Sequence, residues 1–228
     1  MVVGVLNVQP SMTTSVQDSP ADLSTLETGL ADQLTLSREA QDLLFRSART
    51  ANTFTDEPVG DVQVRAIYDL AKWAPTSMNN QPLRIVLVRS PAARDRLVQT
   101  LGDGNKAKIA AAPLVAILAA DHGFHEHFPT TFPHFPGARD MFAADDALRA
   151  RTADMNGTLQ VAYFILAVRA AGLAAGPMTG YDAAALDTAF FPDGKHKVLA
   201  VVNIGKPGHG AWMDRLPRLD FDEVVTTV

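Results

Sequence analysis

The chain contains no cysteine. That absence removes disulfides, iron–sulfur clusters and thiolate nucleophiles from its possible chemistry. No P-loop, no G-x-G-x-x-G turn and no Ser–His–Asp grouping occurs either, so the protein builds none of the familiar catalytic constellations. Basic residues form no run, and 20 Lys and Arg face 25 Asp and Glu for a net charge of −5, which argues against a nucleic-acid partner. No charge-free apolar stretch reaches membrane-spanning length. Met1–Gln9 is apolar but lacks the basic start and the length of a secretory signal. The expectation is a cytoplasmic protein with neither membrane nor nucleic acid as partner.

A chain of 228 residues can bury about 70% of its unfolded surface, enough for one substantial core. Residues 1–35 are rich in Ser, Thr, Asp, Pro and Gln and read as a flexible or loosely docked extension. Residues 36–228 carry no linker and read as one domain. Apolar spacing predicts helices after Ser37, over about 61–73, 91–102, 106–111, 145–171 and 182–190, and strands at 84–89, 114–120 and 198–204. Long helices with few, non-alternating strands make this an α+β fold. The stretch Val161–Val168 is apolar nearly all round, which implies burial on most sides, in a large core or against a second subunit.

Four segments carry candidate chemistry. In Ala74-Pro75-Thr76-Ser77-Met78-Asn79-Asn80-Gln81-Pro82, Pro75 ends a helix and six uncharged polar or thioether side chains follow. Such a turn can line the edge of a heteroaromatic ring with directional donors and acceptors and add no charge. Arg49, Thr50 and Asn52, with Lys206, Arg215 and Arg218, are donors of the kind a phosphate monoester needs. Gly176-Pro177-Met178-Thr179-Gly180 reads as a turn whose glycines allow close backbone approach to a ligand. Finally, Phe124–Pro136 is dense in Phe, Pro and His. It reads as an aromatic lid over a planar cofactor, or else as a loop packed on the core. Its histidines lack metal-site spacing, and no metal is expected.

The Ala74–Pro82 stretch resembles the A-P-S-S-x-N-x-Q-P signature of the nitroreductase family of flavin enzymes. Arg49, Thr50 and Asn52 fall on that family's R-S-x-R pattern, with Asn52 where many members place Arg or Lys. Gly176–Gly180 is similar to its G-x-P-x-x-G loop. The resemblance implies an FMN-dependent oxidoreductase that takes hydride from NADH or NADPH and passes it by ping-pong, through the flavin N5, to a second substrate. It implies a nitroreductase-like fold, with a mainly antiparallel sheet flanked by helices, in an intertwined homodimer that exchanges its C-terminal strand.

By the same resemblance Arg49, Thr50, Asn52, Arg215 and Arg218 serve the flavin phosphate. Pro75, Thr76, Ser77, Asn79 and Gln81 contact the ring of a flavin held mainly by the partner. Pro177, Met178, Thr179 and Gly180 reach N5 and O4. The region of Phe132, His134 and Arg139 is similar to the malonic semialdehyde reductase subgroup, and Arg139 would clamp a substrate carboxylate. Nitroaromatics and quinones are the alternative acceptors. A flavin-binding protein without turnover, or a His-cluster metalloprotein, represents the other functional classes.

Overall fold

Leu114–Asp121 is the strand around which the rest is laid, and all eight of its residues are buried. An unbroken apolar run without polar alternation suits a strand covered on both faces. A computed structural model describes residues 29–30 and 33–228. Its strands are β1 (Leu83–Val88), β2 (Leu114–Asp121), β3 (Ala174–Met178) and β4 (His196–Gly205). They form one sheet in the order β1-β2-β4-β3, with every neighbouring pair antiparallel. The fold is thus α+β, as composition and pattern predict.

The helices of six residues or more among the described residues are α1 (Asp61–Ala71), α2 (Pro91–Val98), α3 (Asp103–Ala111), α4 (Ala138–Ala143), α5 (Asp146–Ala170) and α6 (Ala183–Phe190). Strand side chains alternate between faces. Leu114, Ala116 and Leu118 therefore pack with Ile67 of α1 and Val161, Phe164 and Val168 of α5. Val115, Ile117 and Ala119 meet Leu97 of α2, Ile109 of α3 and Leu186 of α6 on the other side.

Local chemistry sets the helix ends. Ser90, Asp145 and Asp182 each accept a hydrogen bond from the backbone N–H three residues on, at 2.9–3.2 Å, capping α2, α5 and α6. Gly172 closes α5 at φ 69°. Its N–H reaches the Arg169 carbonyl at 2.8 Å and that of Leu173 reaches Val168 at 3.2 Å, the double closure that favours glycine at this position. Within α5, a Cβ on Gly157 would sit 2.7 Å from Leu199, at the irregularity where β4 shifts register against β2. The helix can lie this close to the sheet only because that side chain is missing.

The chain divides into two units, Met1–Gln41 and Asp42–Val228. In the first, Ser37 caps the short helix Arg38–Gln41 through Ala40 N–H at 3.3 Å. The extension expected over 1–35 lies outside the described residues apart from 29–30 and 33–35. The second opens with a π-helical turn, Asp42–Arg46.

One expectation needs correction. Gly176-Pro177-Met178 is not a turn but the end of β3, pairing with Asn203, Val202 and Val201. Proline is tolerated there because β3 is an edge strand. In the single chain, Phe221–Val224 is a helical turn and 225–228 is irregular and exposed. Along the 158–168 stretch, Val161, Phe164 and Val168 enter the core, while the single chain leaves another face uncovered. Leu159 and Tyr163 are 44% and 40% exposed.

Candidate functional site

The segment before α1 is tied along the free edge of the sheet. Ala51 N–H donates to Ala175 of β3 at 3.0 Å, Asn52 N–H to Ala211 at 2.9 Å and Thr55 N–H to Lys206 at 3.0 Å. This path delivers Arg49 and Thr50 to the chain's last stretch, where Arg49 Nη1 donates to the Met213 carbonyl at 3.0 Å. A cavity of about 180 Å³ opens between them, lined by Arg49, Thr50, Arg215 and Arg218, with Asp214 as its one carboxylate.

Arg49 thus meets Arg215 and Arg218, which lie far along the chain from it, at one small hollow. Arg215 Nη2 holds the carbonyls of Arg46 and Ala48, the latter at 3.2 Å, and so fixes the wall. Arg218 uses Nη1 on the carbonyls of Leu216 and Pro217 at 2.9 and 3.1 Å. Arg49 Nε is buried with no partner. A buried donor left unmade costs on the order of 1–3 kcal/mol, more when it is charged.

Asn52 is not among the residues lining the hollow. Its Oδ1 accepts from Lys108 Nζ at 2.8 Å, so a cation approaches this position from α3. Lys206 is also elsewhere: its Nζ donates to the Gly172 carbonyl at 3.3 Å, at the end of α5.

The Ala74–Pro82 stretch is a tight turn held by side chains. Thr76 is extended, Ser77–Asn79 make one 3₁₀ turn, and Met78, Asn79 and Gln81 have φ of 52°, 50° and 41°. They are the non-glycine residues with positive φ among those described, all inside one loop. Each such conformation costs roughly 1–2 kcal/mol for an L-residue. Asn79 Nδ2 donates to the Thr131 carbonyl at 2.8 Å, Gln81 Nε2 to Asn79 Oδ1 at 2.8 Å, and Gln81 N–H to Thr76 Oγ1 at 3.3 Å. Asn80 is 1% exposed, yet neither polar atom of its amide has a partner. Pro75 and Ser77 are exposed. The turn therefore presents neutral donors and acceptors, and it holds them in a conformation the backbone would not choose alone.

Thr179 and Gly180 follow β3 and are exposed. The close approaches that the glycines permit are made to the chain itself. A Cβ on Gly176 would lie 2.6 Å from the Ala51 carbonyl, and one on Gly180 would lie 2.7 Å from Asn105 Nδ2. Pro177 is half-buried, and Met178 packs into the core beneath α2 and α6.

The aromatic stretch divides in two. Phe124 and Phe128 are buried and form a third core with Phe142 of α4 and Ala153 of α5, the rings meeting edge-on or tilted at 5.1–5.7 Å. Half of the expected lid is therefore core. Phe132, Phe135 and Pro133 line a cavity of about 260 Å³ with Arg139 at its rim. The His134 ring lies 4.0 Å from that of Phe132. Arg139 Nε and Nη2 sit 2.8 and 3.0 Å from the two carboxylate oxygens of Glu126. Among the described residues no three His, Asp or Glu side chains converge as metal ligands would.

Two site residues escape a reading of the sequence. Asn156 Oδ1 accepts from Ser77 N–H at 2.7 Å, and Gln160 Oε1 accepts from Leu83 N–H at 2.9 Å. Both sit on α5, four residues apart and therefore on one face. Their signal is two amides within a run that turns apolar, Asn156-Gly157-Thr158-Leu159-Gln160-Val161. Buried amides persist only where something needs them.

Comparison with known proteins fits this geometry. Among solved structures, a nitroreductase from Bacillus subtilis aligns over 83% of this chain and 99% of its own, with TM-score 0.73 and 20% identity. A nitroreductase from Exiguobacterium sibiricum, solved in complex with FMN, aligns over 85% and 99%, with TM-score 0.71 and 18% identity. A Streptomyces griseus protein named as an NADH dehydrogenase/NAD(P)H nitroreductase is 63% identical over 195 residues, 86% of this chain and 99% of its own length. The profile of the nitroreductase family matches residues 45–206, and with that relative it shows that this chain belongs to the nitroreductase family.

Proposed function

We propose that this protein is a homodimeric, FMN-dependent NAD(P)H oxidoreductase that reduces small planar acceptors such as quinones and nitroaromatics. The observation that carries the reading is the hollow where Arg49, Thr50, Arg215 and Arg218 meet, with Arg49 Nε buried and unpaired. Its size and donors suit one phosphate monoester. The FMN-bound structural relative and the NAD(P)H-named sequence relative support the choice of cofactor and reductant.

When bound, FMN would supply the two-electron hydride chemistry, and the protein's work is to bind, orient and polarise it. Arg49 and Arg218 would neutralise the phosphate, with Thr50 donating its hydroxyl. The Thr76–Gln81 turn would meet the polar rim of the ring, and the exposed Thr179–Gly180 backbone would face it from the end of β3. Donors at the rim favour the ring when it carries more negative charge, the logic of an oxyanion hole.

The arginine hollow and the turn share no lining residue within one chain, which fits a site completed by a second copy. Met155, Leu159 and Tyr163 form an exposed apolar row at i, i+4, i+8 on α5 and would pack against that copy. β1 is an edge strand beside a cavity of about 420 Å³ that Val64, Tyr68 and Leu83 help line. We assign that edge to the partner's Val224–Val228 segment.

Malonic semialdehyde, the acceptor implied first by the sequence resemblance, becomes the second reading and rests on Arg139. Because Glu126 already occupies the guanidinium fork, a carboxylate acceptor would have to displace it, whereas a planar neutral acceptor would not. The deciding experiment is the absorbance spectrum of the purified protein, followed by anaerobic mixing with NADH or NADPH. Bleaching of a flavin band, then reoxidation by a quinone, is expected. A colourless protein that takes up no FMN would end the proposal.

A further inference from the structure

We propose that Asn156 and Gln160 are positioning residues: a pair of buried amide acceptors on α5 that clamps the Thr76–Gln81 turn at both ends and holds it in its left-handed conformation against the flavin rim. The inference deepens the function proposed above and rests on it.

Asn156 is 4% exposed and Gln160 5%. The Asn156 amide has one orientation open to it, because its Nδ2 is tied to the Thr152 carbonyl one turn back at 2.8 Å. Its Oδ1 is therefore aimed outward, where it receives Ser77 N–H at 2.7 Å. Gln160 Oε1 receives Leu83 N–H at 2.9 Å, at the start of β1. Between these anchors lie Met78, Asn79 and Gln81, the three residues with positive φ. A strained backbone persists only when its surroundings over-determine it. Here the two ends of the strained segment are fixed to one rigid helix, and the middle is tied through Asn79 to Thr131.

The helix itself is placed by Gly157, next to Asn156, which lets α5 lie against Leu199 and Ala120 of the sheet. The distance from sheet to α5 to turn is thereby set by packing. An ordinary core pair of amides would satisfy each other. These two instead accept from the backbone of the turn whose side chains form the proposed flavin contact.

The test combines a flavin-free and a flavin-dependent readout. In flavin-free protein, amide hydrogen exchange at Ser77 should speed at least roughly tenfold in Asn156→Leu, and at Leu83 in Gln160→Met, while β2 amides keep their protection. Gln160→Glu retains the acceptor oxygen and should restore protection at Leu83, which separates the hydrogen bond from packing. On titration with FMN, Asn156→Leu should bind at least roughly tenfold more weakly, with an altered flavin absorption band. Unchanged exchange at Ser77 and Leu83 would refute the clamp. Faster exchange with wild-type FMN affinity and spectrum would refute its role toward the flavin. A wild-type protein that takes up no FMN would sink the function proposed above, and the exchange experiment would still decide the clamp.

Discussion

Arg139 and Glu126 form a two-pronged ion pair at the rim of the Phe/Pro cavity, with Nε and Nη2 at 2.8 and 3.0 Å from the two carboxylate oxygens. Hydrogen bonding from Arg139 holds the Glu126 carboxyl below the usual glutamate range, and Glu126 in turn raises Arg139. Both side chains are largely in solvent, so the pair does little for stability. Its consequence is for recognition, because the guanidinium that would greet a substrate carboxylate is already engaged.

Glu126→Gln should therefore free Arg139 and shift preference toward carboxylate-bearing acceptors. The expected result is a KM several-fold lower for malonic semialdehyde, with the KM for a neutral quinone unchanged. Arg139→Ala should remove that gain in the double variant. An equal change for both acceptors would refute the gating role of Glu126. The depressed glutamate value fixes the sign with pH: the pair is fully present above about pH 4.3 and is lost as pH falls through the lower folded value.

Arg218→Ala should weaken FMN retention by about 1.5–3 kcal/mol, the range for one hydrogen bond to a charged group. Affinity for riboflavin, which lacks the phosphate, should not move. Fluorescence titration of the flavin-free protein with both ligands makes the comparison. If riboflavin binding falls as far as FMN binding, Arg218 does not serve the phosphate.

The Phe-rich stretch should behave as core at one end and as surface at the other. Phe124→Ala removes a fully buried ring from the cluster with Phe128 and Phe142, and should cost about 3–5 kcal/mol in urea unfolding. Phe135 is 47% exposed, and its replacement by Ala should leave the unfolding midpoint nearly unmoved. Matching losses would mean that the outer ring is buried in solution, as against a partner.

His125 gives the stability a pH dependence of defined sign. Its ring is buried, its Nδ1 has no partner, and desolvation outweighs neighbouring Glu126 to push its pKa below the ordinary 6.5. The native state holds a neutral ring, whereas the unfolded chain takes up a proton near the ordinary value. The contribution is therefore complete above that value and is lost as pH falls through the lower folded one. The urea midpoint should drop as pH falls below about 6.5, and His125→Gln should flatten the slope. An identical slope in the variant would assign it to other groups.

How far these features can be read from the sequence varies with their range. The buried β2 run, the Ser90, Asp145 and Asp182 caps and the Gly172 stop are local signals, and each is legible within a few residues. β3 was hidden because Gly176 and Pro177 punctuate it. Only its edge position makes the proline acceptable, and edge position is a property of the whole sheet. The arginine hollow was legible as composition but not as geometry. Arg49, Arg215 and Arg218 do meet there, while Asn52 and Lys206, equally plausible in one dimension, turn to Lys108 and Gly172. Asn156 and Gln160 are not legible in one dimension, because an amide on a helix reads as surface unless the fold brings a backbone N–H to it.

Leu159 offers the sharpest test of a site shared between two chains. It lies midway along the exposed row Met155, Leu159 and Tyr163 of α5, the same helix that bears Asn156 and Gln160 on its buried side. In the proposed dimer this row would pack against the second copy. Leu159→Asp would place a carboxylate in the proposed interface and strip it of water without a partner, at a cost of several kcal/mol in the dimer and little in the free subunit. The variant should sediment as a monomer with its far-ultraviolet circular dichroism intact, and it should emerge from purification without flavin. A monomer that keeps its FMN would place the whole cofactor site within one chain, and the arginine hollow and the Thr76–Gln81 turn would then have to serve different ligands.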